Sequence, residues 1–99
     1  MKPLQVSEPA SRELAEAMRW YEERRPGWGA QLFDAVSRAF ELIERHPEIG
    51  SPRRSQPTVR QLAVRGFPYL VVYRNRPDGS YVVALVHTSR RPGYWEGRP

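Results

Sequence analysis

Apolar residues in the first half of the chain recur with a helical period, and those in the second half do not. Ala10, Leu14, Ala17, Met18 and Tyr21 fall at i, i+4, i+7, i+8 and i+11, one face of an amphipathic helix. Arg12, Glu13, Glu16 and Arg19 take the other face. Ser7 predicts the N-cap, and Glu8 and Pro9 suit a first turn. Pro26 disfavours helical geometry at the residue before it, so this helix ends near Arg24-Arg25. A second helix begins near Trp28, with Leu32, Phe33, Val36, Ala39, Phe40 and Ile43 as its apolar face. Arg45 and His46 occupy its last turn, where cations suit the helix dipole, and Pro47 ends it. The short Pro26-Gly27 connection makes the two helices antiparallel neighbours, an αα-hairpin. Ahead of them, Leu4-Gln5-Val6 alternates and predicts a short strand.

Residues 47–57 read as a loop, ordered where Ile49 packs inward. From Thr58 the pattern turns extended. Val59, Leu62 and Val64 predict one strand ending at Arg65-Gly66, and Phe67-Pro68 a turn. Residues 69–75, rich in β-formers, predict a second strand, and Pro77-Asp78-Gly79 a second turn. Residues 81–88 predict a third strand, apolar on both faces and therefore covered on both. Connections this short require an antiparallel meander. The predicted fold is a single α+β domain over residues 1–99: an N-terminal strand, then an αα-hairpin packed on a small antiparallel β-meander sheet. Tyr69, Tyr73, Tyr81, Trp20 and Trp28 are expected to be packing residues.

Composition narrows the chemistry. With no cysteine there is no disulfide frame and no thiolate metal site, and the two histidines have no third ligand at metal-site spacing. No apolar run is long enough to span a bilayer, and the N-terminus lacks the apolar middle of a signal peptide, so a cytoplasmic protein without a membrane partner is expected. Charge is segregated. Residues 1–50 carry seven Lys/Arg against nine Asp/Glu, whereas residues 51–99 carry nine arginines against Asp78 and Glu96. Such asymmetry points to an anionic partner, either nucleic acid or an acidic protein segment. Every cation but Lys2 is an arginine, whose planar fork suits carboxylate and phosphate alike.

The strongest functional signal is the stretch His87-Thr88-Ser89-Arg90-Arg91-Pro92-Gly93-Tyr94-Trp95. Arg90 and Arg91 sit between an apolar strand and two large aromatics, the composition of a contact surface. Tyr94 and Trp95 either fold back to close an open sheet edge or present rings to a base or a protein. His87 either hydrogen-bonds neighbouring backbone or acts as an acid or base. Arg53 and Arg54 add charge to the loop after the second helix.

The element order and this closing stretch resemble the RelE/ParE superfamily of bacterial type II toxins, over almost the whole chain. The loop His46-Pro47-Glu48-Ile49-Gly50 and the strand Phe67-Pro68-Tyr69 with Val72-Tyr73 carry the same resemblance. It implies a toxin without a cofactor, neutralised by a cognate antitoxin whose C-terminal segment, here expected to be acidic, lies across its surface. RelE-like members cleave mRNA in the ribosomal A site, and ParE-like members inhibit DNA gyrase without a nuclease reaction. Cleavage by 2′-OH attack needs a base, cations around the phosphate and an acid. The resemblance matches Arg65 and Arg90 to arginines of those nucleases and sets Tyr94 near their terminal tyrosine, and His87, with a reference pKa of ~6.5, offers a base or an acid. The lysines that RelE-like nucleases carry after the second helix are absent, and arginine, with a pKa above ~12, transfers protons poorly. The expectation is therefore a ParE-like inhibitor of gyrase that contacts its target through Arg65, His87, Arg90, Arg91, Tyr94 and Trp95. The alternative is a ribosome-dependent endoribonuclease. A third reading, a nucleic-acid-binding module, rests on the basic half alone.

Overall fold

The computed structural model describes residues 2–99. Its elements are β1 (Gln5–Val6), α1 (Glu8–Arg24), α2 (Trp28–Arg45), β2 (Ser51–Arg53), β3 (Gln56–Ala63), β4 (Tyr69–Arg76) and β5 (Gly79–His87). Ser7 caps α1 as its sequence position implies, accepting the Ala10 N–H at 3.2 Å. The same hydroxyl donates to the Val83 carbonyl at 3.1 Å, so the cap also pins α1 to the sheet. At the hairpin corner Gly27 adopts φ +93, open to glycine without strain. It offers α2 no side-chain cap. Glu22 of α1 supplies one instead, accepting from the Gly27 and Gly29 N–H groups at 3.0–3.1 Å.

The sheet has the order β1-β5-β4-β3-β2. The expected meander is present in β3, β4 and β5, all antiparallel. Two features correct the expectation. The sheet is mixed, because β1 pairs parallel with β5 through Gln5 with Tyr81 and Val6 with Val82. Part of the supposed loop is a strand, since Ser51-Pro52-Arg53 pairs antiparallel with β3.

Three side chains expected inside lie outside. Trp20 is 49 % exposed, Phe33 47 % and Ile49 40 %. Inward packing after α2 belongs to Gly50, whose N–H donates to the Tyr73 hydroxyl at 2.9 Å. That hydroxyl donates onward to the Pro47 carbonyl at 2.8 Å, and its ring is fully buried. The loop is thus held by a core tyrosine rather than by its own isoleucine.

The sheet buries both faces. On one, Leu32, Val36, Ala39 and Ile43 of α2 and Ala10 and Ala17 of α1 meet Val71, Tyr73, Val82 and Leu85. On the other, Val59, Val72, Val83, Ala84 and Val86 pack around Trp95, 1 % exposed. A bulge makes this division. Val72 pairs with Ala84 and Tyr73 with Val82, leaving Val83 without a partner, so Val83 and Ala84 point the same way, away from the helices. The double cover expected of β5 is present, and the second cover is the chain's own C-terminal segment.

Candidate target-binding site

The end of β5 and the flank of α1 enclose a groove of about 340 Å³ lined by aromatic rings and charges. Trp20, Tyr21, Tyr69 and His87 form a row along it, with successive ring centroids 5.0, 6.5 and 5.1 Å apart. Glu13 and Glu16 line the α1 side, and Ser89 and Arg90 come from the segment after β5. On the opposite face of the sheet, Arg90 and His87 also border a smaller depression with Arg53, Leu70 and Trp95. His87 and Arg90 therefore stand on the ridge between the two hollows.

The structure divides the six sequence-selected residues into three groups. His87 and Arg90 share the groove. Arg65 and Arg91 are exposed without lining it, Arg65 in the turn between β3 and β4. Thr88 donates its N–H to the Pro68 carbonyl in that turn at 2.9 Å, so Arg65 and the arginine pair occupy the same end of the sheet. Among the described residues, Arg65, Arg90 and Arg91 have no acidic partner. Tyr94 and Trp95 are turned to the protein itself. The buried indole closes the second core, with the Arg53 guanidinium 4.7 Å above its ring and Arg53 paired to Glu96 at 2.7 Å. Trp95 therefore leaves the expected contact surface and joins the packing, because the sheet face beneath it has no other cover.

Tyr94 is held by Glu13, a residue that sequence reasoning placed on the polar face of α1. Its hydroxyl donates to Glu13 Oε2 at 2.5 Å. Glu13 Oε1 accepts from Leu85 N at 3.1 Å, and both Nη atoms of Arg98 reach the carboxylate at 3.0 and 3.1 Å. Burial and the adjacent carboxylate raise the Tyr94 phenol well above its ordinary value, so it stays protonated. Burial, with Tyr21 nearby, likewise raises Tyr69. A signal for Glu13 exists in the sequence. It stands three residues after Ala10 and four before Ala17, on the flank of two alanines that are buried.

His87 is also committed to local contacts. Its Nδ1 accepts the Ser89 N–H at 3.0 Å and lies 2.7 Å from Ser89 Oγ. An accepting Nδ1 puts the proton of the neutral ring on Nε2, which makes Nε2 a donor rather than a base. No group of three or more His, Cys, Asp or Glu among the described residues is arranged to hold a metal ion. No helix among them is long and apolar enough to cross a membrane.

Known proteins resemble this chain in sequence or in fold. The curated Toxin RelE3 of Caulobacter vibrioides is 27 % identical over 93 residues, covering 92 % of this chain and 99 % of the relative. The chromosomal ParDE system from P. aeruginosa contains a chain of the same fold, with a TM-score of 0.78 at 15 % identity, 90 % of this chain matching 98 % of that one. The isolated E. coli RelE toxin matches with a TM-score of 0.66 at 18 % identity, over 98 % of this chain and 95 % of that one. A family model described as the ParE toxin of the type II toxin-antitoxin system parDE spans residues 4–92, which includes the groove, the ridge and the arginine pair and stops short of Tyr94. The chain belongs to the ParE toxin family of type II toxin–antitoxin systems.

Proposed function

We propose that this toxin inhibits DNA gyrase by binding it, with the unpaired arginines Arg65, Arg90 and Arg91 and the aromatic groove as the gripping surface, and that it cleaves no bond. The observation that carries this reading is the state of the groups a nuclease would need. The Tyr94 hydroxyl is engaged as a donor to Glu13. His87 Nδ1 already accepts the Ser89 N–H, so this nitrogen is engaged within the chain. Arg65 stands outside the groove that holds His87 and Arg90. What remains free at that end is guanidinium charge beside the exposed Trp20 and the half-buried rings of the groove, the chemistry of recognition.

The test is a supercoiling assay with purified gyrase and plasmid. Loss of supercoiling together with a trapped cleavage complex is expected. Full supercoiling at large toxin excess rules gyrase out. Arg90→Ala combined with Arg91→Ala is expected to lose inhibition while keeping the wild-type unfolding midpoint. Unfolding of that double variant at room temperature would make the pair structural.

A second reading, a RelE-like ribosome-dependent endoribonuclease, draws on the meeting of His87 and Arg90 in one groove. Toeprinting on translating ribosomes decides it, since A-site cleavage is required by this reading and excluded by the first. Membership of the family implies a cognate antitoxin. We place its acidic segment against the same arginines, by charge complementarity.

A further inference from the structure

We infer that Glu13 is a positioning residue for target binding: acting through Tyr94, it holds the Arg90 guanidinium at the rim of the groove. The inference rests on the proposed role of Arg90 in gripping the target. Its starting point is an incomplete sheet edge. β1 pairs with β5 only at Tyr81 and Val82, so from Val83 onward β5 has no strand on that side. Backbone groups left there need other partners. Ser7 Oγ and Arg98 Nη1 donate to the Val83 carbonyl at 3.1 and 3.3 Å, and Glu13 Oε1 accepts the Leu85 N–H at 3.1 Å. Glu13 thus stands in for a missing strand neighbour, which fixes its carboxylate against β5.

The rest of that carboxylate reaches the tail. Its Oε2 takes the Tyr94 hydroxyl and one Arg98 nitrogen, while Oε1 takes the other. Two guanidinium groups then approach the Tyr94 ring, Arg90 at 4.1 Å and Arg98 at 5.3 Å from its centroid. Arg98 is neutralised by Glu13. Arg90 has no acidic partner among the described residues, and the face of Tyr94 is its shelf. A guanidinium presented on a ring keeps its donors and its charge for a partner while losing side-chain freedom in advance, which favours binding. Moving Tyr94 removes the shelf. Glu13→Gln loosens that hold. The amide oxygen keeps Leu85 N and Arg98 Nη1, while its N–H₂ group meets Arg98 Nη2, which cannot accept, and turns the charge-assisted Tyr94 bond into a weaker one in which the hydroxyl accepts.

The experiment is a double-mutant cycle on binding to purified gyrase, with wild type, Glu13→Gln, Arg90→Ala and the double variant, each checked for its unfolding midpoint. Glu13→Gln is expected to weaken binding about tenfold when Arg90 is present and less than about twofold when it is alanine. Tyr94→Phe, which keeps the ring and removes only the hydroxyl, is expected to follow the same pattern and serves if Glu13→Gln folds poorly. Equal losses in both Arg90 backgrounds would reduce Glu13 to a structural role and overturn the inference while leaving the gripping role of Arg90 intact. An Arg90→Ala variant that binds as wild type does overturns both. If wild type fails to bind gyrase, that target is wrong. The cycle is then read as growth arrest in cells, where the same non-additivity is required.

Discussion

Trp95 carries the largest packing load of any single side chain on the second sheet face. It is fully enclosed by Val59, Val72, Val83, Ala84 and Val86. Trp95→Ala is expected to cost about 3–5 kcal/mol in a urea titration, the range for emptying a large aromatic site in a core. A loss below about 1 kcal/mol would mean that the indole is dispensable and would return it to the contact surface. Its neighbour Tyr94 makes a pH prediction. Its folded pKa lies above the unfolded value of ~10, so the folded state holds the phenolic proton more tightly. Stability from this proton is fully present below that value and is lost as pH rises toward the folded pKa. Unfolding midpoints of wild type should therefore fall faster above pH ~10 than those of Tyr94→Phe. Parallel curves for the two proteins would contradict the part-buried Tyr94–Glu13 bond.

At the level of elements, the helix hairpin depends on a close crossing at Gly29. A Cβ there would meet the Met18 carbonyl at 2.8 Å and Glu22 at 3.1 Å. Alanine has the better helix propensity, by up to about 1 kcal/mol. The contact with backbone cannot be relieved by a side-chain rotation, so Gly29→Ala is expected to destabilise by about 1–3 kcal/mol despite that gain. A raised thermal midpoint would refute the crossing. Both helices were legible in the sequence because their period, the Ser7 cap and the proline stops all agree. β2 was not, since Ser51-Pro52-Arg53 is a short edge strand with no apolar alternation. The exposure of Trp20 and Phe33 was hidden for a different reason. Helical spacing assigns a residue to a stripe, and the sheet decides how wide a stripe is covered. The bulge at Val83 and the Glu13–Tyr94–Arg98 cluster were also out of reach, because they join residues 72 to 85 positions apart or depend on register. Of the groove lining, His87 and Arg90 were singled out by local composition, whereas Glu13, whose bond to Tyr94 spans 81 positions, was assigned only to the polar face of α1.

Across the whole molecule, the sheet lies between the helix hairpin and a C-terminal strap, and the strap lies beyond the span shared with the family model. Residues 93–99 bring Trp95 to the second core, Glu96 to Arg53 and Arg98 to Glu13, and the Pro99 carbonyl accepts from Arg76 at 2.9 Å. Ending the chain at Pro92 keeps every secondary-structure element and bares Val59, Val72 and Val86 to water. Far-ultraviolet circular dichroism should then stay near wild type while the urea midpoint falls and an apolar dye binds. An unchanged midpoint would show the strap to be a solvated extension. The same truncation also separates the two roles of Glu13. In the full chain Glu13→Gln loses the charge-assisted bonds from the donors Tyr94 and Arg98 and is expected to cost about 1–3 kcal/mol. In the truncated chain those donors are gone and water reaches the side chain, leaving Leu85 N as its only protein partner, which glutamine can still serve. The cost of Glu13→Gln should accordingly shrink to near zero once residues 93–99 are removed. A cost that persists would place the work of this carboxylate at the β5 edge alone and would detach the arginine rim from α1.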